Sequence, residues 1–209
     1  MGSGVLAQIR CVVFDVGETL VDETRMWTAL AQRLGLTPFT LCGVVGAMIA
    51  TGRDHHDLWD VIGVDRPAAG IDPGGCDLYP DALDCVAAVR RRGLAVGVAG
   101  NQPAVIGQVL SAAGLEADFV ASSAAWGVAK PNPVFFARLI SEACVPAESI
   151  LYVGDRLDND VVPARAAGMR TVFVRRGPWG YLHALKAEAS LADLRVDSLQ
   201  ELTALLTVN

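Results

Sequence analysis

Short, largely apolar runs recur along the chain, at 11–14, 94–99, 119–121, 150–153 and 171–174. None alternates apolar with polar, so each predicts a strand buried on both faces, as in a parallel sheet. Between them lie segments with apolar residues at helical spacing: 82–92, 103–113, 133–143, 160–167 and, last, 199–206. Gly93 and Gly114 follow the first two, where a residue without Cβ stops a helix at least cost. Strand and helix in alternation imply an α/β fold, a doubly wound and mainly parallel sheet with right-handed crossovers.

The stretch 22–77 breaks this rhythm. It offers helical patterns at 24–34, 38–50 and 55–62 and no convincing strand. The reading is a helical subdomain over 22–77, inserted into a core made of 1–21 and 78–209. The chain re-enters the core through the Gly- and Pro-marked segment DPGGCDLYP, residues 72–80.

Composition narrows the functional classes. With 209 residues, 52% of them hydrophobic, the chain has ample apolar material for one core plus an insert. Its net charge of −6, without any run of Lys or Arg, argues against nucleic acid as a partner. The five cysteines are scattered with no CxxC pair, which favours reduced thiols and a cytoplasmic setting over zinc or disulfides. No leader is evident at the N-terminus, and the apolar stretch 41–50 is too short to span a bilayer. The expected form is a monomer or homodimer with no membrane partner.

In an open α/β sheet the site lies beyond the carboxyl ends of the strands. The residues just past the apolar runs are Asp15, then Gly100 and Asn101, then Asp155, Asp158 and Asp160, with Lys130 between the third and fourth. Carboxylates brought together repel and lose solvation, a conflict that a bound hard cation resolves. An all-oxygen ligand set favours magnesium. For Asp158 a helix N-cap role is the simpler reading. Lys130 is one of only two lysines in a chain whose other basic side chains are otherwise arginines, which suggests a need for a compact point charge.

FDVGETL (14–20), VGVAGN (96–101), VAKPNPVFF (128–136) and VGDRLDNDVVPARAAGM (153–169) together resemble the four motifs of the haloacid dehalogenase-like hydrolase superfamily, in the branch with a helical cap after the first strand. The likeness runs over nearly the whole chain. It implies a Rossmann-like core and a magnesium-dependent phosphatase acting on a small phosphorylated metabolite. Asp15 would attack phosphorus to form an aspartyl-phosphate. Magnesium would be held by Asp15, the Gly17 carbonyl, Asp155 and Asp160, and Lys130 would balance the nucleophile and the transferring group.

Two positions depart from the motifs. Gly17 stands where the superfamily places an acid/base aspartate, and Gly100 where it places a hydroxyl that binds the phosphoryl group. Lost acid–base help costs about 10²–10⁴-fold in rate. Glu18 is a candidate replacement for the acid, and Asn101 for the hydroxyl. Restoring aspartate at position 17 is expected to raise turnover of alkyl phosphates. A 2-haloacid dehalogenase also lacks the second aspartate but does not need the carboxylates at 155 and 160. A phosphonoacetaldehyde hydrolase needs a cap lysine, and 22–77 contains none. The remaining competitor is a catalytically impaired relative that binds a phosphorylated ligand or protein. In the insert, Arg53 of RDHHD is a candidate substrate contact, although Asp54 also reads as an ordinary N-cap. Trp179 of RRGPWGYLH could edge the site or simply pack its loop.

Overall fold

The computed structural model describes residues 5–66 and 77–207. Its centre is a six-stranded, wholly parallel sheet in the order β3-β2-β1-β4-β5-β6. The strands are β1 Cys11–Phe14, β2 Ala95–Gly100, β3 Phe119–Ser122, β4 Ile150–Gly154, β5 Arg170–Val174 and β6 Leu194–Val196. Five lie where the apolar runs predict them. The sixth, LRV at the sheet edge, is only three residues long and carries an exposed arginine, so it leaves no such run.

The sheet is buried on both faces because its central strands β1, β2 and β4 are apolar on both. Val12 and Phe14 point into one layer, under the helices Ala82–Arg91 and Leu199–Thr207. Cys11 and Val13 point into the other, against Phe135, Phe136 and Leu139 of the helix Pro133–Ala143. All four side chains of β1 are fully buried. Chain order runs outward to one side as β1-β2-β3 and to the other as β4-β5-β6, so the direction of winding reverses between β1 and β4. Such a reversal opens a crevice at the carboxyl ends of the two strands.

The insert between β1 and β2 is helical, as expected: Thr24–Arg33, Pro38–Thr51, a short 3₁₀ turn at His55–Asp57, and Leu58–Ile62. Thr37 caps the second helix, accepting from the Thr40 N–H at 3.1 Å, with Pro38 at its first position. Asp54 caps the next turn through the His56 N–H at 2.9 Å. The two connections to the core run side by side, Asp22 N–H donating to Asp77 and Tyr79 N–H to Leu20, at 2.8 and 2.9 Å. Of the linker expected at 72–80, residues 72–76 lie outside the described residues.

A helix absent from the sequence reading, Gly177–His183, follows β5. Its Trp179 joins the apolar cluster of the insert, beside Leu30, Met48 and Ile49. Among the described residues no single helix is long and apolar enough to cross a membrane.

Candidate active site

Asp15 directly follows β1, and its N–H donates to the Val153 carbonyl of β4 at 2.8 Å, which fixes it at the crevice. Asp155 directly follows β4. Asp160 arrives through a widened helical turn, Leu157–Val161, in which the Val161 N–H reaches back five residues to the Arg156 carbonyl. That turn packs the Asp160 carboxylate against Gly154, where an added Cβ would lie 2.6 Å from it. Oxygens of Asp15, Asp155 and Asp160 all lie within 4.8 Å of one another, and all three residues are buried.

Lys130 closes the group from the loop after β3. Its Nζ donates to Asp15 Oδ1 at 2.7 Å, to Asp160 Oδ1 at 2.5 Å and to the Tyr152 hydroxyl at 3.0 Å. The backbone of Lys130 is gripped by Asn101, whose Oδ1 accepts the Lys130 N–H at 2.8 Å and whose Nδ2 donates to the Lys130 carbonyl at 2.9 Å. Asn101 thus spends one of its two N–H donors on holding the lysine.

One ammonium does not neutralise three carboxylates. Burial, reinforced by Asp160, pushes Asp15 up to about 6 despite Lys130. Burial, then Asp160 and Asp15, raise Asp155 well above the usual carboxylate range. The Asp155 carboxylate accepts no side-chain or backbone hydrogen bond among the described residues, though the residue is only 2% exposed. A hard divalent cation would supply the missing charge and partner, so the oxygen set fits magnesium.

Above these groups lies a cleft of about 210 Å³ between core and insert. Asp15, Gly17, Glu23, Gln102 and Asp155 line it, with Trp27 and Trp179 from above. It adjoins a second cleft of about 420 Å³ whose rim carries Arg53, Arg156 and Lys186. Arg53 is exposed and pairs with Asp57 at 3.5 Å, so it stands at the outer rim and not beside Asp15. Asp158 does not cap a helix. It pairs with Arg156 at 2.8 Å, and that guanidinium lies 4.7 Å from the Trp179 ring centre. Trp179 therefore edges the cleft, and its ring packs on the apolar cluster of the insert more than on its own loop.

The two glycines sit under other side chains. A Cβ on Gly17 would meet Glu23 Oε1 at 2.3 Å and Glu23 Cδ at 2.8 Å. A Cβ on Gly100 would meet Gln102 Cγ at 2.8 Å. Glu18 is already engaged, accepting from the Tyr79 hydroxyl at 2.6 Å and from the Glu23 N–H at 3.1 Å. Glu23 accepts from Trp27 Nε1 at 3.3 Å, and burial followed by Glu18 and Asp15 pushes it up to about 7. Neither Glu23 nor Gln102 stands out in the sequence, because no spacing rule links either to its glycine.

Residues 127–202 match the HAD-hydrolase-like family. Phosphoserine phosphatase of Thermus thermophilus is 40% identical over 127 residues, 59% of this chain and 49% of that protein. Glyceraldehyde 3-phosphate phosphatase of Methanopyrus kandleri is 34% identical over 127 residues, 59% of this chain and 54% of that protein. The chain thus spans about half the length of these curated relatives. Among solved structures, a HAD phosphatase from Thermococcus onnurineus covers 95% of this chain and 98% of its own, at TM-score 0.63 and 23% identity. L-2-haloacid dehalogenase from Xanthobacter autotrophicus covers 95% and 98%, at TM-score 0.70 and 22% identity, a likeness of fold. The family match over residues 127–202 and these phosphatase relatives, together with this sheet order, support membership of the haloacid dehalogenase-like hydrolase superfamily.

Proposed function

We propose that the chain is a magnesium-dependent phosphohydrolase of small phosphorylated metabolites, working through an aspartyl-phosphate on Asp15. The observation that carries the reading is the buried triad in which Lys130 Nζ touches Asp15 and Asp160 at once while Asp155 stands within 4.8 Å. A dehalogenase nucleophile attacks carbon and has no use for a further pair of buried carboxylates, which only add repulsion. The curated relatives named as phosphatases support the same choice.

In this reading the insert over 22–77 is a cap that shuts the cleft from water. Asp15, Asp155, Asp160 and the Gly17 carbonyl would hold the magnesium ion, which would offset the repulsion between carboxylate and phosphate. Lys130 fixes the Asp15 carboxylate and faces the charge of the transferring group. Lys186, with Arg53 and Arg156 that already pair with Asp57 and Asp158, offers cationic contacts to an anionic substrate at the rim.

The test is release of p-nitrophenolate from p-nitrophenyl phosphate, and of phosphate from a metabolite panel, with and without magnesium. Turnover is expected only with magnesium, and Asp15→Asn should reduce it at least about 10³-fold. Turnover that survives Asp15→Asn rules out the covalent route. Halide release from 2-chloropropionate in place of phosphate release would establish a dehalogenase instead.

A further inference from the structure

The sequence puts glycine at position 17, where the proton donor is expected, and the candidate beside it, Glu18, is already engaged by Tyr79 and the Glu23 N–H. The structure does not leave that space empty. The chain turns back sharply after Asp15: the Val16 carbonyl accepts from both Leu20 and Val21 N–H at 2.9 Å, and Glu18 N–H donates to Val21 at 2.8 Å. This turn lays residue 23 over residue 17. A carboxylate from Glu23 then occupies the volume into which a side chain on residue 17 would project. Three contacts hold it there: Glu18 Oε1 on the Glu23 N–H, Trp27 Nε1 on Oε2, and the bare α-carbon of Gly17 beneath. The carboxylate faces the same cleft as Asp15.

We infer that Glu23 is the general acid and base of the phosphatase reaction, supplied from the insert side of the junction in place of a residue at position 17. The inference rests on the phosphohydrolase reading above. In the first half, an Asp15 oxygen bonds to phosphorus, the bond from phosphorus to the ester oxygen breaks, and that oxygen takes a proton from the Glu23 carboxyl. The alcohol leaves, and Glu23 is a carboxylate. In the second half, water gives a proton to Glu23 while its oxygen bonds to phosphorus. The bond to Asp15 breaks, phosphate leaves, and both carboxyl groups return to their starting state.

Gly17 then reads as the partner of Glu23. Any side chain at position 17 would displace the carboxylate, so aspartate added there should lower activity while Glu23 remains, reversing the expectation drawn from the sequence.

The experiment compares rapid-mixing bursts with p-nitrophenyl phosphate, whose leaving group needs no proton, and phenyl phosphate, whose leaving group does. Glu23→Gln, nearly equal in shape, should slow the phenol burst by about 10²-fold or more and the p-nitrophenol burst by less than about tenfold. Slow turnover after the burst should follow with either ester, since water also loses its base. Glu23→Ala with Gly17→Asp should recover phenol release by at least about tenfold over Glu23→Ala alone. Equal slowing of both bursts, no slowing, or a gain from Gly17→Asp alone would each overturn the inference. So would a wild type that cleaves the nitrophenyl ester but not the phenyl ester, or a double variant with no recovery. Failure of the parent reading looks different: no magnesium-dependent release from p-nitrophenyl phosphate at all, or release indifferent to Asp15→Asn. In that case the role of Glu23 falls with it.

Discussion

At the scale of single residues, positions that matter to the site divide by how they reach it. Asp15 and Asp155 stand at strand ends, which can be read from apolar runs, whereas Lys130 sits in a loop past β3 and is legible through its rarity and its motif. Glu23 and Gln102 reach the site through turns whose course depends on backbone bonds that no composition signal reports. Asn101 is a third kind, legible as a site residue but with its task shifted towards gripping the Lys130 backbone from both sides. Each of those two hydrogen bonds is worth about 1 kcal/mol net. Asn101→Ala should therefore cost about 2 kcal/mol of stability by urea unfolding. It should also lower kcat far more than it raises KM, because it misplaces the ammonium that faces the transferring group in the proposed reaction.

At the scale of elements, all five strands marked by apolar runs form, since a strand buried on both faces must be apolar throughout. The insert helices form because their caps and apolar spacing agree. The helix Gly177–His183 escaped because it opens Gly-Pro-Trp-Gly, which reads as loop, and it is held by what it touches instead. Trp179 is its anchor, 6% exposed, set against Trp27 at 6.4 Å and edge-on to His55 at 5.5 Å. Removing so large a buried ring costs about 3 kcal/mol or more. Trp179→Ala should lower the urea midpoint accordingly and open the insert to protease before the core, as limited proteolysis would show.

At the scale of the whole molecule, His183 links fold to pH. It is 2% exposed, and its Nδ1 accepts the Leu157 N–H at 3.0 Å, a bond that only the neutral ring can make. Burial pushes it down to about 4, with Lys186 and Arg156 opposing its charge and Asp158 and Asp160 favouring it. The native value lies below the ordinary one of about 6.5, so the unfolded chain binds the proton first as pH falls. The contribution to stability is complete above pH 6.5 and drains away between 6.5 and 4, reaching a loss of about 2 kcal/mol by pH 5. His183→Asn keeps an acceptor but cannot titrate. The gap in unfolding free energy between wild type and this variant should shrink by that amount from pH 7.5 to pH 5.

Strand β1 raises one more point. Its four side chains are apolar and buried on either side of the sheet, so sliding it by one position along β4 would still bury apolar groups on both faces. Greasy alternation therefore says little about which alignment is right. The charged residue at its end says much more: only with Phe14 beside Val153 does Asp15 meet the ammonium of Lys130, and a slip towards the middle of the sheet would strand its carboxylate in the dry interior. Asp15 thus acts as a proofreader of sheet assembly, and a chain that pairs its central strands wrongly loses the Lys130 contact and stability together.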